Sequence, residues 1–263
     1  MAPRLLVVGG GKMGSALLAG LIDSEWAPVE ALAVCDPDPS RRRSLSDAHP
    51  GLTVLEAPLP ADGAVLAVKP DVAEAVLRTL AAVGITRVLS IVAGLSSARL
   101  EAALGSDEGV VRAMPNTPAL IGAGMAAMSG GSRATAGDLD WAEGILGSVG
   151  GVVRLAERHL DAVTGVSGSG PAYVFLVAEA MIEAGVTAGL TREVSRQLVV
   201  GTLLGSARMM AETGEEPAEL RAAVTSPGGT TAAAVRTLEF KAVRSAFIEA
   251  VAAATERSRQ LGR

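Results

Sequence analysis

The sequence predicts a doubly wound α/β domain over residues 1–155 followed by an all-α domain over residues 156–263. Three observations predict it. Short apolar runs ending in glycine or aspartate recur through the first half. Helix-like stretches lie between several of them, as parallel crossovers require. Strand-like patterning then fades after about residue 155.

Taken in order, Leu5-Leu6-Val7-Val8 is a continuous apolar run that stops at glycines, the pattern of a buried parallel strand. A helix is expected from Met13 to Ser24, then a second strand, Ala31 to Cys35, ending at Asp36; together they form a βαβ unit. Further strands are expected at Ala64–Val68, Val88–Val92 and Val110–Ala113, with Gly151 to Leu155 closing the sheet. The second half predicts helices at about 171–185, 191–213 and 217–224, and one long helical stretch over 230–261. Ser169 is a candidate cap with Pro171 in the first turn, and Thr191 is an N-cap with Glu193 close behind. Helices this apolar commonly complete their burial against a second subunit.

Composition narrows the function. Apolar residues make up 49% and charged residues 19%, enough for a large core and too apolar for disorder. The formal net charge of -5 argues against a nucleic-acid binder, which needs a basic face. Arg41-Arg42-Arg43 is the one dense basic cluster. The single cysteine, Cys35, rules out an internal disulfide and a cysteine-rich metal site, and fits a small buried residue at a strand end. His49 and His159 stand far apart without partners, so no metal is expected. The N-terminus runs straight into the first strand, and the apolar helix near Tyr173–Val186 carries Glu179 and Glu183. A cytoplasmic protein with no signal peptide and no membrane span is therefore expected.

The first chemical motif is Gly9-Gly10-Gly11-Lys12-Met13-Gly14, a GxGxxG that follows a strand and opens a helix. Gly9 permits the tight turn, Gly11 lets backbone approach a pyrophosphate, and Gly14 lets helix pack on strand. The N-terminal domain is thus of the Rossmann type, with a nicotinamide dinucleotide as its cofactor. Asp36 lies 22 residues after Gly14, where an acid accepts from ribose hydroxyls and favours NADH. The adjoining Arg41 to Arg43 would equally hold the 2′-phosphate of NADPH, so both cofactors stay open. Asp36-Pro37-Asp38 also reads as a plain turn before a helix.

Two more segments fall at strand ends, where open α/β sheets bind ligands: Ala67-Val68-Lys69-Pro70 and Val92-Ala93-Gly94. The chain has three lysines, and Lys12 and Lys69 both sit at these loops. Met114-Pro115-Asn116-Thr117-Pro118 is a rigid turn or a wall for the nicotinamide, with Asn116 offering an amide. In the helical half, Ser226-Pro227-Gly228-Gly229-Thr230-Thr231 places hydroxyls and backbone N–H groups before a helix, which suits a carboxylate. A capped turn is the plain alternative.

Together these segments resemble the pyrroline-5-carboxylate reductase family. The matching stretches are Gly9–Gly14, Ala67–Pro70, Val111–Pro118, Asp161–Leu190 with "SGSGPAY", and Leu220–Leu238 with "SPGGTT". The resemblance implies a Rossmann-type domain and an all-α dimerisation domain, a homodimer that assembles further into decamers, and reduction of 1-pyrroline-5-carboxylate to L-proline with NADPH or NADH. It puts Gly9, Gly10, Gly11, Lys12, Met13 and Gly14 on the pyrophosphate. Ala67, Val68, Lys69, Pro70, Val92, Ala93 and Gly94 would line the cofactor, with Met114 to Asn116 near its nicotinamide. Ser226, Thr230 and Thr231 would bind the substrate, and Thr231 would donate to the ring nitrogen. This chain departs from the family pattern at Thr225, Ala222-Ala223 and Gly201, and in carrying Asp36. A β-hydroxyacid dehydrogenase shares the glycine motif but uses a lysine early in its second domain; here the only lysine after Lys69 is Lys241.

Overall fold

The computed structural model describes residues 2–105 and 109–262. Eight strands form one sheet: β1 (Leu5–Val8), β2 (Leu32–Cys35), β3 (Thr53–Leu55), β4 (Ala64–Leu66), β5 (Val88–Ser90), β6 (Val110–Met114), β7 (Gly124–Gly130) and β8 (Gly150–Arg154). Their order is β3-β2-β1-β4-β5-β6-β7-β8, and every neighbouring pair is parallel except β6 with β7. The chain order reverses on either side of β1, which is where such sheets open a crevice.

Helices α1 (Lys12–Asp23), α2 (Pro39–Ala48), α3 (Pro70–Ala82), α4 (Ser97–Leu104) and α5 (Ala136–Gly147) connect the strands. Successive side chains of β1 point to opposite faces, as strand geometry dictates. Leu5 and Val7 join a core with Leu17, Leu18, Leu21 and Ile145, while Leu6 and Val8 join another with Leu77, Leu80 and Leu100. Both faces are covered, so the strands read as unbroken apolar runs and not as alternation.

Two strands escape the sequence reading. Thr53–Leu55 has only three residues and lies at the sheet edge, so it buries too little to leave a pattern. Gly124–Gly130 reads GMAAMSG, without the β-branched or aromatic residues that mark strands. The connection from β6 is a single 3₁₀ turn over Thr117–Ile121. Too short for a crossover, it sends β7 back antiparallel.

Beyond the sheet come α6 (Leu160–Val163), α7 (Gly170–Thr187), α8 (Arg192–Thr213), α9 (Pro217–Ala223), α10 (Thr230–Phe240) and α11 (Val243–Leu261). Thr191 caps α8 as expected, its hydroxyl accepting from Val194 N–H. The long stretch expected over 230–261 is two helices. Ala242 between them adopts φ +55°, a turn that no glycine or proline announces. Ser169 is no N-cap either: its N–H bonds Thr164 O at 2.8 Å, continuing a π-turn over Thr164–Gly168. Gly168 lies in this turn against the tip of Met114, where a Cβ would stand 2.9 Å from Cε.

Two compact units emerge, Met1–Ser169 with Ala252–Arg263, and Gly170–Val251. The expected division at 155/156 follows the end of β8. Compactness groups the chain differently because Leu160–Ser169 is tied to its own unit. Asn116 donates to Ser167 O and Oγ, and Asp161 accepts from Ser258 at 2.7 Å. Among the described residues, one helical stretch, Glu157–Thr187, has the length and composition to cross a membrane. Glu179 and Glu183 interrupt its apolar surface.

Glu157 fastens the segment after β8 to the sheet domain. It accepts from Ser97 N at 2.7 Å and Ser97 Oγ at 2.5 Å, and pairs with Arg112 at 3.0 Å. Burial works to raise its carboxyl, but the Ser97 bonds and the Arg112 charge outweigh burial and hold it below the usual glutamate range. With the folded value depressed, this stabilisation is present above the unfolded pKa and lost as pH falls through the folded one. We expect Glu157→Gln to cost about 1–3 kcal/mol at neutral pH. Urea unfolding at fixed protein concentration should show that gap closing as the pH drops below the carboxylate range.

Candidate active site

The glycine turn between β1 and α1 is fixed by sterics. Gly9 has φ +103°, and a Cβ on it would stand 2.5 Å from Ala67 O. A Cβ on Gly14 would overlap Gly9 O. These two glycines hold helix, turn and β4 end together. Gly11 differs: a Cβ there would meet nothing within 4 Å, so the protein has no packing need for glycine. It is the N-cap of α1, with φ -71°, and no side chain caps the helix. The first-turn N–H groups have no partner within their own helix, and they face open space above Gly11.

That space belongs to a cleft of about 830 Å³ along the C-terminal ends of β1, β2, β4 and β5. Of the expected cofactor residues, Gly9, Gly11, Asp36, Ala67, Val68, Lys69, Pro70, Val92 and Ala93 line it. Strand β4 stops at Leu66 and β5 at Ser90, earlier than expected, which frees Ala67–Val68 and Ile91–Val92 as lining loops. Lys12 is exposed beside the turn, and Gly10 and Met13 stand within it. Gly94, at φ +82°, packs instead against the chain end, where a Cβ would lie 3.1 Å from Leu261 O.

At the far end of the cleft lie Cys35, Asp36, Arg41 and Glu56. Cys35 is buried at the end of β2, as expected, and burial, followed by the Asp36 charge, pushes its thiol up to about 12. Such a thiol is a small apolar filler. Asp36 is only 2% exposed. Its Oδ2 accepts from Gly10 N–H at 2.8 Å and its Oδ1 from Asp38 N–H at 2.9 Å. Arg41 Nη1 lies 3.4 Å from Oδ2, with a side chain 53% exposed. Arg42 donates to the carbonyls of Asp36 and Pro37 and pairs with Glu56 at 3.5 Å. Glu56 escaped the sequence reading because it follows β3, the strand too short to recognise.

Asn116 is an engaged amide. Its Nδ2 donates to Ser167 O at 3.2 Å and Ser167 Oγ at 3.1 Å, and its Oδ1 accepts from Met125 N–H at 2.8 Å. It ties the end of β6 to the π-turn and to β7.

In the second unit, the turn before α10 closes through Gly229 N–H to Ser226 O at 3.1 Å, with Gly228 at φ +71°. A Cβ on Gly229 would lie 2.5 Å from Ser226 Oγ, so a side chain there would displace that hydroxyl. Gly229 is the N-cap of α10 and supplies no side-chain bond. The N–H groups of the first turn of α10 are thus left for another acceptor, beside the hydroxyls of Ser226, Thr230 and Thr231. Ser226 and Thr230 are exposed and Thr231 half-buried. Among the described residues, no group of three or more His, Cys, Asp or Glu side chains converges as a metal site.

Residues 157–261 match the family model described as pyrroline-5-carboxylate reductase dimerisation, and residues 4–94 that of NADP oxidoreductase, coenzyme F420-dependent. The pyrroline-5-carboxylate reductase of Synechocystis sp. is 44% identical over 268 residues, covering 100% of each chain. That of Escherichia coli is 38% identical over 270 residues, again covering 100% of each. A pyrroline-5-carboxylate reductase structure from Coxiella burnetii superposes with a TM-score of 0.92 at 34% identity, covering 100% of each chain. The Plasmodium falciparum pyrroline carboxylate reductase with NADP bound gives 0.88 at 33% identity, covering 99% and 98%. With kinship of this strength running from one end of the sequence to the other, the chain belongs to the pyrroline-5-carboxylate reductase family.

Proposed function

We propose that this chain reduces the C=N bond of 1-pyrroline-5-carboxylate to L-proline, the last step of proline biosynthesis, using NADPH or NADH. The observation that carries the reading is the turn at Ser226–Thr231. It joins an uncapped helix start to three hydroxyls, and so suits a carboxylate carried on a small polar ring. The cofactor fit rests on Gly11, where the turn leaves room that no neighbouring atom fills. Gly9, Gly10, Gly11, Lys12, Met13 and Gly14 hold the pyrophosphate, and Ala67 to Pro70 with Val92 and Ala93 flank the dinucleotide.

Bound NADPH or NADH supplies the hydride, which adds to the imine carbon. The substrate nitrogen is basic enough to be protonated without a strong protein acid. This agrees with a site built from hydroxyls and N–H groups. Ser226, Thr230 and the loop N–H groups orient the carboxylate. Thr231 donates to the ring nitrogen and fixes which face of the ring is presented. Asn116, held by Ser167 and Met125 N–H, keeps the end of β6 rigid at the nicotinamide end.

The enzyme works as a homo-oligomer, with a dimer as its unit and decamers as the further assembly. Support comes from the match of 157–261 to a dimerisation family and from the apolar faces that Gly170–Val251 leaves uncovered. A soluble, cytoplasmic protein that binds neither nucleic acid nor membrane fits the net charge of -5 and the glutamates within its most apolar helix.

Gly11→Ala separates ligand from fold. Its φ of -71° suits alanine and its Cβ would touch no protein atom, so the melting temperature should hold. Cofactor Kd, read by calorimetry, should rise about tenfold or more as the methyl enters the phosphate space. Thr231→Ala should lower kcat/KM for pyrroline-5-carboxylate about 5- to 150-fold, the worth of a polar contact of 1–3 kcal/mol. An unchanged kcat/KM removes Thr231 from this role. Cofactor oxidation with 3-hydroxy acids but not with pyrroline-5-carboxylate would overturn the reading as a whole.

A further inference from the structure

We infer that Ser258 and Gly262, at the end of α11, are positioning residues for the cofactor: they brace from behind the loop Ile91–Gly94, whose front lines the nucleotide cleft. The inference rests on the cofactor reading above and concerns only how that wall of the cleft is held.

The loop from β5 to α4 has two sides. Ile91, Val92 and Ala93 line the cleft, and Ala93 is exposed. Gly94, at φ +82°, is buried against the end of α11. A Cβ on Gly94 would stand 3.1 Å from Leu261 O, and one on Gly262 would stand 2.5 Å from Gly94 O. Two stretches of bare backbone thus meet, with no room for a side chain between them. Gly94 also needs to be glycine for its positive φ. Gly262 lies outside the left-handed region, so its nearness to Gly94 O is what excludes a side chain there. A carbonyl oxygen cannot rotate away as a side chain can, so a methyl at 262 must move one backbone or the other.

The end of α11 is itself fastened, and so can serve as backing. Ser258 is 6% exposed and donates to Asp161 Oδ1 at 2.7 Å. Arg99 Nη1 reaches Gly262 O at 3.4 Å, while its Nε and Nη2 hold Glu74 on α3 at 3.0 and 2.8 Å. The loop is gripped again just beyond Gly94, where Ser97 N–H and Oγ donate to Glu157. Glu157 and Asp161 belong to the same short segment after β8. That segment and the end of α11 are therefore bonded to each other, and each holds one part of the loop. A wall fixed in advance spares the cofactor the cost of ordering it.

Calorimetric titration of the intact protein with NADPH and with NADH, together with amide exchange across residues 91–96, tests this. Gly262→Ala should quicken exchange in that stretch and raise Kd for both nucleotides by the same factor, about threefold to tenfold. Ser258→Ala should act in the same direction. Asp161→Asn keeps an acceptor for Ser258 and should lose less affinity than Asp161→Ala. The melting temperature and the number of sites per chain should hold in Gly262→Ala. A contact that only steadies the fold would lower one of those two and leave Kd alone, and that result overturns the inference. So does a wild-type Kd in Gly262→Ala, or a loss confined to one nucleotide. Wild-type protein that binds neither nucleotide brings down the cofactor reading as well. Reduction of pyrroline-5-carboxylate, assayed on the same samples, reports separately on the proposed reaction.

Discussion

Where β1 turns into α1 there is no room for a side chain at Gly9 or Gly14, and the rest of the nucleotide-binding unit is arranged around that fact. A Cβ on Gly14 would overlap Gly9 O, and one on Gly9 would press on Ala67 O at 2.5 Å. The helix can therefore lie directly against the strand and the end of β4. This closeness brings its first N–H groups to the point where the sheet order reverses, with β2 on one side and β4 on the other. The clash is with backbone atoms, which cannot rotate away, so no change elsewhere in the sequence relieves it. Asp36 adds a second constraint of the same kind, an acceptor buried under the turn whose donors are backbone groups.

The unit Gly170–Val251 is governed by the opposite condition, an excess of apolar surface. No residue of the eighteen-residue α7 is buried within the chain. Phe175, Leu176, Leu204, Phe240 and Ile248 are each more than 60% exposed. Covering one such side chain is worth about 1.5–3 kcal/mol, so several together favour association strongly. A second copy of the chain offers the same surface by symmetry, which is how closed homo-oligomers form. The same apolar character gives the helical stretch Glu157–Thr187 the length and composition of a membrane span, and Glu179 and Glu183 lie within it.

How much of this the sequence displays depends on whether a signal is local. Strands β1, β2 and β4 show plainly, because burial on both faces leaves unbroken Leu and Val. The glycine motif shows for the same reason, since Gly9 and Gly14 answer clashes within a few residues or at a neighbouring strand. β7 does not show, because Gly, Ala and Met carry no strand preference and its place is set by the short turn after β6. The break at Ala242 is invisible, as alanine there gives no sign of a positive φ. Nor does the sequence reveal that Asp36 and Asn116 are already bonded. Their partners, Gly10, Asp38, Ser167 and Met125, are backbone or hydroxyl groups brought near by the fold. Identity of a polar residue is legible; its remaining hydrogen-bonding capacity is not.

The two helix starts proposed to hold anions share one device. Both α1 and α10 begin at a glycine, Gly11 and Gly229, that provides no side-chain cap. A Ser, Thr or Asp side chain at a helix start accepts from the N–H groups of the first turn, the very groups a bound anion would use. Elsewhere Ser96, Thr135 and Thr191 cap α4, α5 and α8, while α3, which starts at the cleft after Lys69, also lacks a side-chain cap. The uncapped start also suits a protein of net charge -5 with three lysines, in which the proposed dinucleotide and carboxylate sites would need local attraction for anions. Oriented N–H groups attract anions over a few ångströms and leave the long-range field unchanged.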